Sequence, residues 1–402
     1  MKIDKKRRDV AFQAITAWEV ADKKATVELA TGMGKTFLSL DCMAKMRKGS
    51  SVLFLAETAQ REHDLMVDIE KYKELFDVDI LSHINLEFAC YQSACRWVKK
   101  SFDLAVCDEI HDSMSPVYVQ FYKKNKCKAI LGLSATVKSE RTYVIDGVEV
   151  SKEILLDDIA PVCFTYDVGD GQREGTSRKL DIHVIYHRLN ATEKNIDAGS
   201  KKNPFKTTEA RGYKYLDDLF WQGVYSNQDY LVRSAAMRRS KLLYSLPSKV
   251  EVVKSILKTT KGKSIIFNND LNILEDITPH IVRSAKKSET KKQRDIMNFE
   301  TRNNFDKGNI DVIGSFKMLK QGANLKGADN VIIMSYYSSS LDMIQRIGRL
   351  RKNGNKKGKV FILVTLGTQE EKWFEKMTES IPMEEFNVVP HLDVNSLAKK
   401  AV

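Results

Sequence analysis

Residues 28–40 read ELATGMGKTFLSL, and the types and spacing of Gly32, Gly34, Lys35 and Thr36 suit the cradling of a phosphate chain. In such a loop backbone N–H groups wrap the phosphates, so the positions nearest them must lack bulk and reach unusual dihedrals. A lysine then neutralises the outer phosphates, a threonine hydroxyl ligates Mg²⁺, and the start of a helix adds a favourable dipole. Lys35 and Thr36 fill those places, with Thr31 and Met33 completing the loop, although Leu29 stands where the general pattern opens with glycine. Further along, DLAVCDEIH (103–111) runs an apolar stretch into two carboxylates. An acid at the C-terminal end of a strand lies where α/β sheets bind ligands. Asp108 can hold Mg²⁺ through water, and Glu109 can orient and deprotonate an attacking water.

Those groups need a scaffold, and the chain has the rhythm of one. SVLFLAE (51–57), LEFACYQ (86–92), FDLAVCDE (102–109) and AILGLSAT (129–136) are short, nearly continuous apolar runs, the first followed by a helix predicted over 59–74. Such runs separated by helices predict parallel strands buried on both faces. The rhythm restarts at LDIHVIYH (180–187), KSIIFNN (263–269), IDVIGSF (310–316), NVIIMSY (330–336) and KVFILVTL (359–366). Two α/β domains in series are expected, residues 1–163 and 164–402, with a polar, glycine-containing linker near 155–175. Between about 191 and 245 the strand pattern lapses. There Lys201, Lys202, Lys206, Arg211 and Lys214 interleave with Phe205, Tyr213, Tyr215 and Trp221, as in an insertion followed by a helix that opens the second domain. Its aromatics either stack on bases or pack the insertion onto that domain. EEKWFEKM (370–377) predicts a short C-terminal helix.

A chain of 402 residues with 43% apolar and 29% charged residues can bury two ordinary cores. Its net charge of +12 favours a polyanionic partner. The six cysteines form no C-x-x-C pair, and several sit in apolar runs, so reduced core residues of a cytoplasmic protein are expected. The basic start MKIDKKRRDV is not followed by an apolar leader segment, and no run approaches the roughly 18 apolar residues of a membrane helix.

The ordered set ATGMGKT (30–36), DEIH (108–111), SAT (134–136) and QRIGRLRK (345–352) resembles the superfamily 2 DExH helicases and translocases, over nearly the whole chain. That family often carries Ala in place of the loop's first glycine, and Ala30 lies beside that position. Within it, LLYSLPSKVE (242–251) and SYYSSSLDMIQRIGRLRK (335–352) are most similar to compact phage-type DNA helicases and to RecG-like and XPB-like translocases. The resemblance implies two tandem RecA-like domains, each a mainly parallel sheet with helices on both faces, and an ATP cleft between them. It makes ATP and Mg²⁺ the cofactors, Lys35, Asp108, Glu109, Gln345, Arg346 and Arg349 the catalytic set, and Thr36 and Asp108 the metal-holding pair. Gln13 falls where the family reads adenine, and Gly322 and Asn324, in IGSFKMLKQGANL (313–325), would touch nucleotide from the second domain. An arginine arriving from that domain would stabilise charge developing on the γ-phosphoryl group. Arg349 is its first candidate and Arg346 its second. The family's last arginine falls on Lys352, with Arg351 one residue earlier, so either could supply a further cation. Ser134 and Thr136 would relay the state of the cleft, and His111 would bridge towards Gln345.

Backbone recognition of nucleic acid uses hydroxyls, amides and cations along one face. The motif positions assign this to Thr58, Gln60, Arg61, Gln92 and Ser93 in the first domain and to Ser315, Lys317 and Lys320 in the second. The expectation is a monomeric ATP-dependent helicase or translocase working on nucleic acid, DNA in preference to RNA, and moving 3′-to-5′. Forked, branched or recombination intermediates would be its substrates, beside replication or recombination proteins. An RNA helicase, a duplex-DNA translocase that does not unwind, and a nucleotide-gated binding protein that remodels nucleic acid remain open alternatives.

Overall fold

The structure is a computed structural model that describes residues 5–137, 142–145, 147–200, 202–284, 289–316, 327–336, 343, 346–348, 350, 356–378 and 387–391. By contacts the chain divides into two compact units, Met1–Ser177 and Arg178–Val402.

In the first unit α1 (Lys5–Val20), β1 (Lys24–Leu29), α2 (Lys35–Ala44), β2 (Ser50–Ala56) and α3 (Gln60–Phe76) open the chain. They are followed by β3 (Ile84–Cys90), α4 (Tyr91–Ala94), β4 (Ser101–Asp108), α5 (Gln120–Lys124) and β5 (Lys126–Ser134). An antiparallel pair, β6 (Thr142–Ile145) and β7 (Val148–Ser151), precedes α6 (Lys152–Asp157), β8 (Val162–Tyr166) and α7 (Val168–Arg173). Six strands form one parallel sheet in the order β3-β2-β4-β5-β1-β8. Alternate residues of a strand point to opposite faces. Along β2, Val52 and Phe54 join a core with Val10, Leu38 and Leu65 of the helices, whereas Leu53 and Leu55 join another with Phe121 and Leu156. Both faces of the sheet are therefore covered, as the apolar runs required.

The predicted linker is part of this sheet. β8 pairs with β1, Thr26 N–H and Oγ1 donate to the carbonyls of Pro161 and Ala160 at 2.8 and 2.7 Å, and Arg7 holds the carbonyl of Thr176 at 2.8 Å. The division expected after residue 163 falls inside β8, whereas the units part after Ser177. A strand of five residues with only Tyr166 fully buried carries too weak a pattern to be read against its glycine-rich flank.

The second unit begins with β9 (Leu180–His187), an antiparallel pair β10 (Ile196–Gly199) and β11 (Pro204–Thr207), and the helices α8 (Glu209–Tyr225), α9 (Asp229–Tyr244) and α10 (Pro247–Thr259). β12 (Ser264–Phe267), α11 (Leu271–Glu275), β13 (Ile281–Arg283), α12 (Lys291–Lys307), β14 (Val312–Phe316) and β15 (Asn330–Ile333) follow. β16 (Gly358–Thr365), α13 (Gln369–Thr378) and β17 (Asn387–His391) complete it. Seven strands form a second parallel sheet in the order β13-β14-β12-β15-β16-β9-β17. The fold is thus the expected α/β class, two tandem RecA-like domains built on parallel sheets.

Two buried cations fasten the second sheet. Arg178 donates to the carbonyls of Ala328, Lys356 and Lys357 at 2.6, 2.8 and 3.1 Å and to Asp329 at 3.0 Å, joining the start of the unit to two strand-entry loops. Lys249 of α10 is fully buried, and its ammonium is satisfied three times, by the carbonyls of Leu243 and Met334 at 2.9 Å and by Glu370 of α13 at 2.6 Å. The insertion is the β10–β11 pair with α8 and α9. Tyr213, Leu216, Leu242 and Leu243 pack it down beside Trp373, while Phe205, Tyr215, Trp221 and Tyr225 stay exposed.

Candidate active site

β1 delivers the chain into the loop at residues 30–34, where the Ala30 amide donates to the Tyr166 carbonyl at 2.8 Å. Met33 drops its side chain into the core, and Gly32 and Gly34 on either side take φ of +85° and +93°. A Cβ at either glycine would meet nothing within 4 Å, so the requirement for glycine is one of dihedral and not of crowding. Gly34 is the N-cap of α2, which places Lys35 and Thr36 in its first turn. The loop is held by its flanks and left smooth on its exposed side, as a phosphate cradle must be.

β4 ends at Asp108, whose carbonyl accepts from the Tyr91 hydroxyl at 2.9 Å. Glu109 then turns the chain with φ +49°, a left-handed conformation that costs a residue with a Cβ on the order of 1 kcal/mol. That turn lets Glu109 meet Lys35 at 3.0 Å, with side-chain exposures of 17% and 12% that keep the pair largely out of water. Burial pushes the Glu109 carboxyl up, but the Lys35 ammonium and His111 outweigh it and hold the group below the usual carboxylate range. Glu109 is therefore a carboxylate at neutral pH, as a base must be.

Arg61, expected on the nucleic-acid face, lies instead in this site. From the first turn of α3 its Nε donates to Asp108 at 2.6 Å and its Nη2 to Thr36 Oγ1 at 2.6 Å, and its guanidinium lies over the Phe54 ring at 5.6 Å. Burial works against its charge, but Asp108 prevails and raises its pKa further. The two oxygens expected to hold Mg²⁺ thus converge on one cation. Among the described residues, the buried Thr31 Oγ1 has no hydrogen-bond partner, while Glu109 Oε2 lies 3.6 Å from His111 Nδ1. Convergent hydroxyl and carboxylate oxygens beside a smooth loop, with the Thr31 hydroxyl left over for a ligand, fit Mg²⁺ and a triphosphate.

Next to Glu109, the buried His111 makes a 2.8 Å contact from Nδ1 to Ser134 Oγ, and Ser134 donates to the Thr136 carbonyl at 2.6 Å. The three candidate relay residues form one chain running from the carboxylates to the end of β5. Thr58, Gln92 and Ser93 are exposed at the ends of β2 and β3, and Gln60 opens α3. Gln13 is exposed on α1, which Trp18 docks through a 2.8 Å bond to the Ile130 carbonyl.

In the second unit two expectations change. Arg346 is 1% exposed, donates to the Ser335 carbonyl and lies over the Phe267 ring, so it anchors the end of β15 and is not presented as a finger. Ser315 is buried within β14 and offers no hydroxyl to an external strand. Gln345, Arg349, Arg351, Lys352, Gly322, Asn324, Lys317 and Lys320 lie outside the described residues. Cys42, Cys95, Cys107 and Cys127 are buried as core residues, whereas Cys90 and Cys163 are half-buried, and burial pushes the Cys42 and Cys107 thiols up to about 12. No helix among the described residues is long and apolar enough to cross a membrane.

Comparison with known proteins gives matching assignments for both units. Residues 4–139 match the type III restriction enzyme res subunit family, and residues 248–354 match the helicase conserved C-terminal domain. The DNA 3′-5′ translocase XPB2 of Sulfurisphaera tokodaii is 25% identical over 386 residues, covering 92% of this chain and 84% of that protein. Among solved structures, the ATP-dependent type ISP restriction-modification enzyme LlaBIII bound to DNA superposes with a TM-score of 0.57 at 14% identity, over 97% of this chain and 31% of its own.

Proposed function

We propose, for a chain that belongs to the superfamily 2 helicases and translocases, that it is an ATP-driven DNA motor moving 3′-to-5′ along one strand of forked, branched or recombining DNA. The observation that carries the reading is the convergence of Lys35, Thr36, Asp108 and Glu109 at the mouth of one glycine loop. A protein that only bound nucleotide would have no use for a buried, ionised Glu109 beside the phosphate-facing lysine. Thr36 and Asp108 would hold Mg²⁺, whose part when bound is to neutralise phosphate charge. Lys35 would leave Glu109 for the outer phosphates, which frees the carboxylate to orient and deprotonate water. His111 and Ser134 would pass that change towards the end of β5. The arginine expected to stabilise the γ-phosphoryl group, Arg349, enters on its motif position alone.

DNA as the partner is supported by the relative named a DNA translocase, by the DNA-bound restriction enzyme with the same fold, and by the +12 charge. The relative is named a translocase and not a helicase, which leaves room for a second reading, movement along duplex DNA without strand separation. ATP hydrolysis should be measured with no nucleic acid, single-stranded DNA, duplex DNA, a four-way junction and single-stranded RNA, with Lys35→Ala alongside. Stimulation by single-stranded or branched DNA, lost in the variant, is the expected result. Stimulation by duplex alone, with triplex displacement but no unwinding, would favour the second reading. Stimulation by RNA alone would overturn DNA as the substrate.

A further inference from the structure

Arg61 occupies a position that the proposed chemistry reserves for a metal. Nε and Nη2 of one guanidinium reach Asp108 and Thr36 Oγ1, each at 2.6 Å. A planar fork of this kind spans two acceptors only when they lie within a few ångströms of each other. Mg²⁺ binds oxygen ligands at about 2.0–2.1 Å in a strict octahedron, so a metal on Thr36 that reaches Asp108 through a bound water would need, with that water, the space that the guanidinium fills. Like charge adds to the conflict. The two cations cannot share the site.

The surroundings give Arg61 somewhere else to go. Its Nη1 stands 4.0 Å from Asp68, two turns further along α3, in a site where both side chains are little exposed. Lys71 holds Oδ1 of Asp68 at 3.1 Å, and the oxygen that faces Arg61 is Oδ2, so a turn of the Arg61 side chain would exchange Asp108 for Asp68 within this little-exposed site. Arg61 also lies three residues after Thr58, at the exposed end of β2. Whatever moves its side chain acts on the first turn of α3 and on the chain that leads into it.

We propose that Arg61 is a positioning residue that stands in for Mg²⁺ between Thr36 and Asp108, and that loading the metal with nucleotide displaces it towards Asp68. This rests on the reading of the site as a magnesium–nucleotide pocket. Without metal, Arg61 keeps Asp108 from repelling the incoming phosphates. With metal, its departure signals to the start of α3 that the site is charged.

Arg61 therefore raises the Mg²⁺ concentration the site demands and lends it affinity for metal-free nucleotide. Both effects are read in one ratio, the Kd of a fluorescent ATP analogue in EDTA divided by its Kd in saturating MgCl₂. In Arg61→Gln the ratio should rise about tenfold, within the usual range for coupled sites, and less MgCl₂ should be needed for half-maximal tightening. Arg61→Lys, which keeps the charge and loses the fork, should lie between Arg61→Gln and wild type. If Arg61→Gln does not fold by circular dichroism, Arg61→Lys decides alone. A ratio equal to wild type in a folded variant overturns the proposal while leaving the pocket intact. Failure of the wild type itself to bind the analogue any better than Lys35→Ala would instead remove the pocket, and the proposal with it.

Discussion

At the scale of single residues, the site is a set of charges that answer one another. Lys35 and Glu109 neutralise each other at 3.0 Å, and Arg61 neutralises Asp108 at 2.6 Å. Breaking a buried pair is costly unless the freed charge meets a new opposite one, which phosphates would supply for Lys35 and a metal for Asp108. Glu109 is strained in backbone and depressed in pKa, the combination expected of a group kept for chemistry. Glu109→Gln keeps its size and should lower DNA-stimulated ATP hydrolysis by about 10²–10⁴-fold, the usual contribution of a general base. Equilibrium binding of a fluorescent ATP analogue should stay within about threefold of wild type, a difference of less than about 1 kcal/mol. Loss of both together would assign Glu109 to binding. The sequence named four of the five charged or metal-facing side chains here from the loop and DEIH. It put Arg61 on the wrong face, because nothing in the run LAETAQRE says that the first turn of α3 points back into the loop.

At the scale of elements, the second sheet depends on a buried polar layer that no hydrophobic pattern announces. Lys249 and Glu370 lie 121 residues apart and join α10 to α13, with Thr365 donating to the other oxygen of Glu370. Close to them, His187 at the end of β9 is held neutral, burial and then the Lys249 charge lowering its pKa from the usual 6.5 to about 3. Below pH 6.5 the unfolded chain takes up a proton at this histidine that the folded protein refuses. Stability from this group is therefore complete above about 6.5 and drains away as pH falls towards 3. The slope is about 1.4 kcal/mol per pH unit. His187→Phe should flatten that part of the curve, measured as urea unfolding free energy against pH for wild type and variant. Identical curves would mean that the ring is hydrated in the folded protein. In the sequence, LDIHVIYH reads as a strand whichever way His187 points. Its burial became visible only once β16 paired along it.

At the scale of the whole molecule, two parallel sheets of six and seven strands carry the motifs, and the helical insertion is the feature of the second unit left unabsorbed by them. Near the end of its helix pair, Trp221 and Tyr225 stack with ring centroids 6.0 Å apart while Tyr225 and Tyr230 are 83% and 84% exposed. Aromatic surface of that kind stacks on bases for about 1–3 kcal/mol each. If the motor grips single-stranded DNA here, the double variant Trp221→Ala, Tyr225→Ala should raise the DNA concentration for half-maximal ATPase stimulation at least about tenfold. An unchanged DNA requirement would leave these rings without a part in DNA binding. The fold class, the strand-by-strand rhythm and the grouping of Lys35 and Thr36 with Asp108 and Glu109 followed from the sequence itself, because buried parallel strands need continuous apolar runs and a phosphate loop needs fixed residue types at fixed spacing. Tertiary structure alone decided that β8 closes the first sheet, that Arg346 and Ser315 are interior, and that Arg61 bridges Thr36 and Asp108. These depend on which distant segments meet and on where long side chains turn, and local sequence specifies neither.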